Sequence, residues 1–268
     1  ITIGKNVTQI NDLAFAKCYR LKNVNYNARN ATVNRTTVQN SPFEGSGSGF
    51  GINVHIGKDV EVIPSYLFNQ YNDSVGYQNV LNDLSWDPDC KCTRIEAGAF
   101  RNTNIPTFNI PETIKTIGTD AFANNHRIKE LIIPDSVTTI GTRAFQNLSV
   151  VEKIKLPASV TSIGETAFSH ANKLQTIELD ENNYTFSVVD GCLIKNANAT
   201  LLKATNNAII PDFVKSIEQA AFAALEDIAE VSIPSGVIEV PTYFAVGCYN
   251  LDKVTLPAAL EVINTQAF

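Results

Sequence analysis

The sequence is poor in several residue types, and each shortage argues against a class of protein. It has 268 residues with no methionine, one tryptophan and only three histidines. No run of about 18 consecutive apolar residues occurs, so we expect no direct insertion into a membrane. The 21 lysines and arginines are scattered among 27 acidic residues, without the basic stripe that a nucleic-acid partner normally requires.

The absence of methionine predicts an excised or processed fragment, because the chain also begins and ends inside a repeat. The lack of a signal peptide therefore carries no information about the parent chain.

Five cysteines are an odd number and define no disulfide framework. Cys90 and Cys92 have one residue between them, and no second cysteine pair completes a zinc site. We expect structural buried thiols, with Cys92 at an apolar repeat position and with Cys18 and Cys248 in a packing column.

The histidines, His55, His126 and His170, belong to no Ser/His/Asp grouping. The sequence therefore predicts no catalytic residue, no metal site and no cofactor, and we do not expect an enzyme. Seven N-x-S/T sequons are compatible either with glycosylation or simply with asparagine-rich coils; they begin at Asn6, Asn30, Asn34, Asn72, Asn147, Asn183 and Asn198.

The abundant feature is an internal repeat. An aliphatic residue lies five positions before a phenylalanine that usually follows an alanine, as in 140–145 (IGTRAF), and the steps from Phe100 to Phe168 are 22, 23 and 23 residues. A period of 20–50 residues predicts a solenoid. The phenylalanines are expected to point inward and to form a ladder along the axis, made of Phe15, Phe43, Phe68, Phe100, Phe122, Phe145, Phe168, Phe222, Phe244 and Phe268.

Each coil also contains two apolar segments. The first follows the phenylalanine and has the period of a short strand with one face inward, and a proline often ends it. The second is an apolar pair three residues apart, as in Val137 and Ile140. The glycines that follow this pair, Gly118, Gly141 and Gly164, predict a positive φ, and the Ala-Phe segment predicts a single helical turn.

The coil Leu-x-x-Ile-x-Ile-Pro-x-x-Val-x-x-Ile-Gly-x-x-Ala-Phe resembles the BspA-type leucine-rich repeat. Residues 128–145 and 151–168 fit this form almost position for position, and the resemblance covers essentially the whole chain. It implies a repeat solenoid, a leucine-rich-repeat-like right-handed superhelix with short parallel strands on the concave side and short helical turns elsewhere. We expect one domain over 1–268, with about ten to eleven coils cut mid-repeat at both ends.

Three stretches depart from the repeat. The second coil is degenerate and leads into a Gly/Ser-rich stretch, 44–51, that lacks the order of a phosphate-binding loop. The step from Phe68 to Phe100 is stretched to 32 residues, and the step from Phe168 to Phe222 to 54. Within the latter, Asp190-Gly191 between two apolar runs predicts a type I′ turn and a β-hairpin insertion near 184–204.

The candidate functional site is a surface. Residues between the inward positions of each strand must face outward along the predicted concave sheet, and solenoids commonly bind partners there. An ordinary solvated sheet face is the alternative interpretation, and loops around Tyr71 and Tyr77 are a second candidate site. The predicted binding residues are Asn25, His55, Ser85, Asn109, Ile132, Lys153, Lys155, Glu178, Ser232 and Thr255.

BspA-like repeats resemble parts of adhesins of bacteria and parasitic protists that contact host macromolecules. The resemblance therefore implies a secreted or cell-surface interaction module with a protein or glycan ligand. The alternative hypothesis is a structural spacer that presents another domain of a larger surface protein.

Overall fold

The computed structural model describes residues 1–36, 40–47, 50–70 and 81–268. Over this part the chain is a leucine-rich-repeat-like solenoid, in which the short strands of each coil pair in parallel with those of the next. The right hand of the superhelix, the concave position of one sheet and the single domain stay predictions. Val38 of the repeat pattern, and Tyr71 and Tyr77 of the second candidate site, lie outside the described residues.

The first strand of most coils follows the phenylalanine turn and alternates buried with outward-facing residues, as the apolar spacing predicts. We call these strands the first-strand layer: β1 (Thr2–Ile3), β3 (Asn23–Tyr26), β5 (Ile52–Ile56), β7 (Leu81–Trp86), β10 (Glu130–Ile132), β12 (Lys153–Leu156), β14 (Thr176–Leu179), β19 (Glu230–Ser232) and β21 (Lys253–Thr255). They form three parallel sheets, in the orders β1-β3-β5-β7, β10-β12-β14 and β19-β21.

The second apolar pair of each coil forms a shorter strand, and these strands make up the second-strand layer: β2 (Gln9–Asn11), β4 (Thr32–Asn34), β6 (Val62–Ile63), β8 (Arg94–Ile95), β9 (Thr116–Ile117), β11 (Thr139–Ile140), β13 (Ser162–Ile163), β18 (Ser216–Ile217), β20 (Glu239–Val240) and β22 (Val262–Ile263). The longest sheet of this layer has the order β13-β11-β9-β8-β6, and β2-β4 and β20-β22 are separate pairs.

Two prolines coincide with interruptions of the second-strand layer. In a regular coil, the N–H of the residue after the apolar pair donates to the preceding coil, as Gly141 donates to the carbonyl of Ile117 at 2.8 Å. Pro64 and Pro241 occupy this position, and proline has no N–H to donate. The layer is not hydrogen-bonded between β4 and β6, or between β18 and β20.

The predicted helical turn at the Ala-Phe segment is wrong, because the described part of the chain contains no helix. The segment consists of successive turns, in which the Gln146 N–H donates to the carbonyl of Arg143 at 3.0 Å. Arg143 (φ 54°) and Asn147 (φ 60°) are left-handed, and an α-helix requires consecutive residues with negative φ. The same two positions are left-handed in neighbouring coils, at Asp120, Asn124, Thr166 and His170.

The expected positive φ at Gly118, Gly141 and Gly164 is also wrong, since none of the three is left-handed. These glycines instead allow close approach between coils. A Cβ atom on Gly141 would lie 2.6 Å from the carbonyl carbon of Gly118, and one on Gly164 would lie 2.3 Å from the amide nitrogen of Thr142. These three glycines, which we call the glycine column, are therefore needed because the backbones of neighbouring coils lie too close together for a Cβ atom.

The phenylalanine rings stack along the solenoid. From Phe15 to Phe168, successive ring centroids are 4.9–5.8 Å apart and the ring planes lie within 4–25° of parallel. Among the described residues no ring contact joins Phe168 to Phe222, because the hairpin insertion lies between their coils. The core divides into two clusters at the same place, and the end ring, Phe268, is 48% exposed.

Phe244 follows its aliphatic residue, Val240, by four positions instead of five, and the structure shows that the ring is displaced within a coil of regular length. The Phe222 N–H donates to the carbonyl of Phe244 at 2.9 Å, as the Phe122 N–H donates to the carbonyl of Ala144 at 2.8 Å. Phe244 therefore occupies the alanine position, and Ala245 takes the place of the phenylalanine. The Phe244 ring is consequently tilted by 49° against that of Phe222.

The predicted hairpin is confirmed. β15 (Phe186–Val189) and β16 (Cys192–Lys195) are antiparallel, and the turn residues Asp190 (φ 48°) and Gly191 (φ 75°) both have the positive φ of a type I′ turn. A third strand, β17 (Thr200–Ala204), is antiparallel to β16 and parallel to β18. The insertion thus supplies a strand to the second-strand layer.

Truncation of a central ring tests the stack. We expect Phe145→Ala to lower the free energy of unfolding by about 3–5 kcal/mol, as for other buried phenylalanines, because the ring is 1% exposed and contacts rings on both sides. Phe50→Ala is the control, since Phe50 is 71% exposed. Equal urea denaturation midpoints for the two variants would contradict a stabilising role of the stack.

The glycine column is tested by Gly141→Ala, which places a Cβ atom against the backbone of the preceding coil. We expect a loss of about 1–3 kcal/mol or more in the free energy of unfolding, as in other overpacked sites. Gly4→Ala is the matched control, because its added Cβ meets nothing within 4 Å. The comparison is made by thermal unfolding, and similar losses in both variants would contradict the steric role.

Candidate binding surface

The strand register brings most of the predicted binding residues into rows across the first-strand layer. Residues at the last outward position of each strand form what we call the second outward row. Three groups of aligned neighbours make up this row: Thr2, Asn25, His55 and Ser85; Ile132, Lys155 and Glu178; Ser232 and Thr255. His55 and Ser85 are half-buried and the other members of the row are exposed.

The amino-terminal part of the face is mostly uncharged, with Asp83 as its charged member, and it is internally hydrogen-bonded. His55 Nδ1 lies 3.2 Å from the Ser85 hydroxyl, and the Asn53 amide donates to Asn23 Oδ1 at 3.0 Å. These bonds fix the side chains across neighbouring coils, so this part of the face presents an ordered polar surface.

The carboxyl-terminal part of the face carries charge, and much of it is paired. Lys153 Nζ lies 2.7 Å from Glu178 Oε1, and Lys253 Nζ lies 2.7 Å from Glu230 Oε2. The hydrogen bond to Glu178 raises the pKa of Lys153. Lys155 is exposed and has no ion-pair partner among the described residues. It is therefore the cation of this part of the face that remains available to a ligand.

Asn109 was predicted to lie on a strand, and this is wrong. Residues 105–110 form no strand, and the first-strand layer is interrupted there. Phe108 lies edge-on against the rings of Phe122 and Phe145, at 5.0 and 5.4 Å between centroids. The Asn109 side chain is exposed, while its carbonyl accepts a hydrogen bond from the Trp86 indole at 3.0 Å.

Ile209 is a member of this face that the sequence reasoning missed. It is 70% exposed, and with Ile210 it lines a cleft of about 180 Å³ that also contacts Ser232 and Thr255. The available signal was 208–211 (AIIP), which repeats the pattern of 131–134 (LIIP). The 54-residue step concealed it, because the segment follows the hairpin instead of a phenylalanine turn.

A buried lysine lies at the interruption of the ring stack. Lys203 is 1% exposed, and its ammonium donates to the carbonyl of Ala221 at 3.2 Å. Burial lowers the pKa of Lys203 to about 7. Burial, together with the charge of Lys203, also lowers the pKa of His170.

At the same interruption, the Glu218 side chain replaces a main-chain acceptor of the hydrogen bonds between coils. In regular coils the left-handed residue donates its N–H to a main-chain carbonyl, as Arg143 donates to Glu165 at 3.0 Å. At the hairpin, the Thr166 N–H instead donates to the Glu218 side chain, at 2.8 Å. Burial raises the pKa of Glu218 to about 7 despite that hydrogen bond, and nearby Glu165 adds to the rise.

The cysteines are free thiols. Cys90, Cys92 and Cys192 are buried, and burial raises the pKa of Cys92 to about 12. The prediction of a buried thiol is wrong for Cys18, which is exposed, and Cys248 is half-buried. Within the described ranges, no three His, Cys, Asp or Glu side chains group as metal ligands, and no helix could cross a membrane.

The stacked coils, short parallel strands and open outward face define a leucine-rich-repeat solenoid. The model of the BspA-type leucine-rich repeat region matches in six copies, over residues 1–82, 93–200 and 196–268, and the chain belongs to this family. No curated protein matches the sequence.

Several solved structures share the fold. The pneumococcal vaccine antigen PcpA is 20% identical over 97% of this chain, with a TM-score of 0.75, and a leucine-rich cell surface protein from Faecalibacterium prausnitzii A2-165 is 23% identical over 100%, with a TM-score of 0.71. A leucine-rich repeat protein from Eubacterium ventriosum ATCC 27560 is 17% identical over 93%, with a TM-score of 0.54. This chain spans 66%, 78% and 70% of those three chains, so it covers just under two thirds of PcpA.

The raised pKa of Glu218 gives a pH-dependent prediction. Because the pKa of Glu218 in the folded state lies above its ordinary value of 4.5, this group contributes stability that is fully present below about pH 4.5. That contribution is lost as the pH rises through about 7. Glu218→Gln keeps the acceptor for Thr166 and removes the charge. We therefore expect the variant to be more stable than the parent at about pH 8 and equal to it at about pH 4.

Urea denaturation across this pH range measures the difference between parent and variant. Glu112→Gln is the matched control, since Glu112 is exposed and the change in charge is the same. A constant difference between Glu218→Gln and the parent at all pH values would contradict the buried, charge-sensitive role of Glu218.

Proposed function

We propose that this protein is an interaction or adhesion module of a secreted or cell-surface protein, and that it binds a host or matrix macromolecule through its first-strand layer. The family and the vaccine antigen and cell surface protein with the same fold support a surface role. Binding would use many weak contacts over a rigid face, with no chemical step.

The observation that carries the proposal is the composition of one part of the face. In the second outward row, Ile132, Lys155 and Glu178 are neighbours on successive coils, and Ile209, beyond the hairpin, lines a cleft with Ser232 and Thr255 of the same row. Ile132 and Ile209 are 50% and 70% exposed. Exposed apolar side chains on the same face as charged residues combine desolvation with charge recognition, which is the composition of a protein-binding patch.

The charge pattern also indicates the kind of partner. Because Lys153 is paired with Glu178 and Lys253 with Glu230, Lys155 is the unpaired cation of the described face, and the other unpaired charges, Asp83 and Glu130, are acidic. A uniformly acidic polymer would find few free cations there. A protein with an apolar anchor near a carboxylate fits the patch better.

The proposal is tested on arrays of matrix proteins and glycans, followed by titration of any hit. We expect a protein hit, and we expect the double variant Ile132→Ser, Ile209→Ser to bind it about tenfold or more weakly, since buried interface anchors contribute more than 1 kcal/mol each. Lys155→Glu should also weaken binding with little change in melting temperature, because Lys155 is exposed and unpaired among the described residues.

Lys115→Glu is the control, because it changes the same charge at an exposed residue just before β9 of the second-strand layer. A hit that binds all variants equally would place the site elsewhere on the molecule. Absence of any hit with a folded sample would favour the spacer hypothesis.

A further inference from the structure

The interruption at Pro64 leaves an open space in the second-strand layer. Most Cα atoms of β4 lie more than 8 Å from those of β6. Two hydrogen-bonded strands are separated by about 4.8 Å, and two strands that have a third strand between them are separated by about 9–10 Å. A cleft of about 610 Å³ occupies this place, lined in part by Ala31, Val33, Val62 and Pro64. At Pro241 the Cα atoms of β18 and β20 mostly stay within 8 Å, so the proline alone does not open the layer.

A two-residue shift of register between the second and third coils accounts for the difference. In regular coils, the N–H two residues before the last apolar residue of the second strand donates to the equivalent carbonyl of the preceding coil. Thr138, two residues before Ile140, thus donates to Lys115, two residues before Ile117, at 2.9 Å. In the second coil the last apolar residue is Val33, which makes Ala31 the regular acceptor. The Glu61 N–H instead donates to Arg29 at 2.9 Å, so the following segment of the second coil bulges away from β6.

The bulge leaves main-chain groups without partners. The Thr32 N–H and the Asn34 carbonyl form hydrogen bonds to the first coil. Successive residues of a parallel strand direct their carbonyls to opposite sides, so Ala31 and Val33 direct theirs away from the first coil. The carbonyls of Ala31 and Val33 therefore face the cleft, and so does the N–H of Val62. Nothing in the described part of the chain bonds to these three groups.

The side chains around the cleft offer little competing recognition. Val33, Val62 and Pro64 are apolar. Among the polar side chains, the Asn30 amide lies 2.7 Å from Glu61 Oε2 and Arg94 Nε lies 3.1 Å from Glu96 Oε1, while the hydroxyls of Ser65 and Thr93 also line the cleft. The backbone contributes two acceptors on one wall of the cleft and one donor on the other.

We propose that the cleft between β4 and β6 binds an extended polypeptide segment of a partner protein, which adds as a parallel strand in a slot that Pro64 keeps open. Two N–H groups of the segment, two residues apart, donate to the carbonyls of Ala31 and Val33. A carbonyl of the segment accepts from the N–H of Val62. This is recognition by strand addition, and it uses a different layer from the face proposed above.

The probe is a capped hexapeptide, Val-Thr-Thr-Ile-Gly-Thr, which copies residues 137–142 of the chain. In the solenoid this segment makes the same bonds, since Thr139 and Gly141 donate to the preceding coil and Thr138 accepts from the next. We expect saturable shifts of the Val62 amide signal and its neighbours in ¹⁵N NMR spectra, with a dissociation constant in the range of about 1 mM. A peptide N-methylated at the two donating residues should cause no shifts.

Two proline variants complete the test. Pro64→Gly restores an N–H donor to the chain itself and should weaken peptide binding several-fold, whereas Pro241→Gly should leave it unchanged. Equal shifts from the two peptides, or none up to about 10 mM, would overturn strand addition. Undiminished binding by Pro64→Gly would overturn the role of Pro64, and concentration-dependent shifts without peptide would assign the slot to a second copy of this chain.

Discussion

The structure depends on a main-chain hydrogen bond that each regular coil makes to its neighbour at the phenylalanine turn. The Phe122 and Phe145 amides donate to the alanine carbonyls of the next coil at 2.8 and 2.9 Å. This bond sets a spacing between coils that the rings can match, with centroids 5.7 Å apart for these two residues. Backbone pairing and ring stacking therefore reinforce each other along the same axis, and the glycine column is the steric consequence of that short spacing.

Where this bond cannot be repeated, the molecule acquires its individual features. The hairpin interrupts the ring stack, and there a buried lysine and the Glu218 side chain replace regular packing and a regular acceptor. At Pro64 the missing donor and the bulged second coil open the slot between β4 and β6. Regular coils supply rigidity, and the irregular ones supply chemical groups that the repeat would otherwise satisfy internally.

The proposed functions use these two kinds of feature differently. The face of the first-strand layer presents side chains at fixed spacing, with Lys155 between apolar and acidic neighbours. The slot presents backbone groups with little side-chain selectivity. A partner could engage one without the other, since they belong to different layers, and the pairing of most charges with each other favours recognition by shape and local contacts over long-range attraction.

The sequence by itself determined the repeat, the inward phenylalanines, the two apolar segments and the type I′ turn at Asp190-Gly191, because these follow from local periodicity and turn chemistry. It also assigned most outward residues, since strand alternation is local. Helical turns were predicted wrongly, as a left-handed φ at Arg143 carries no residue-type signal. Only the tertiary structure decided the place of Ile209, the burial of Lys203 and the slot at Pro64, because each depends on how one coil meets the next.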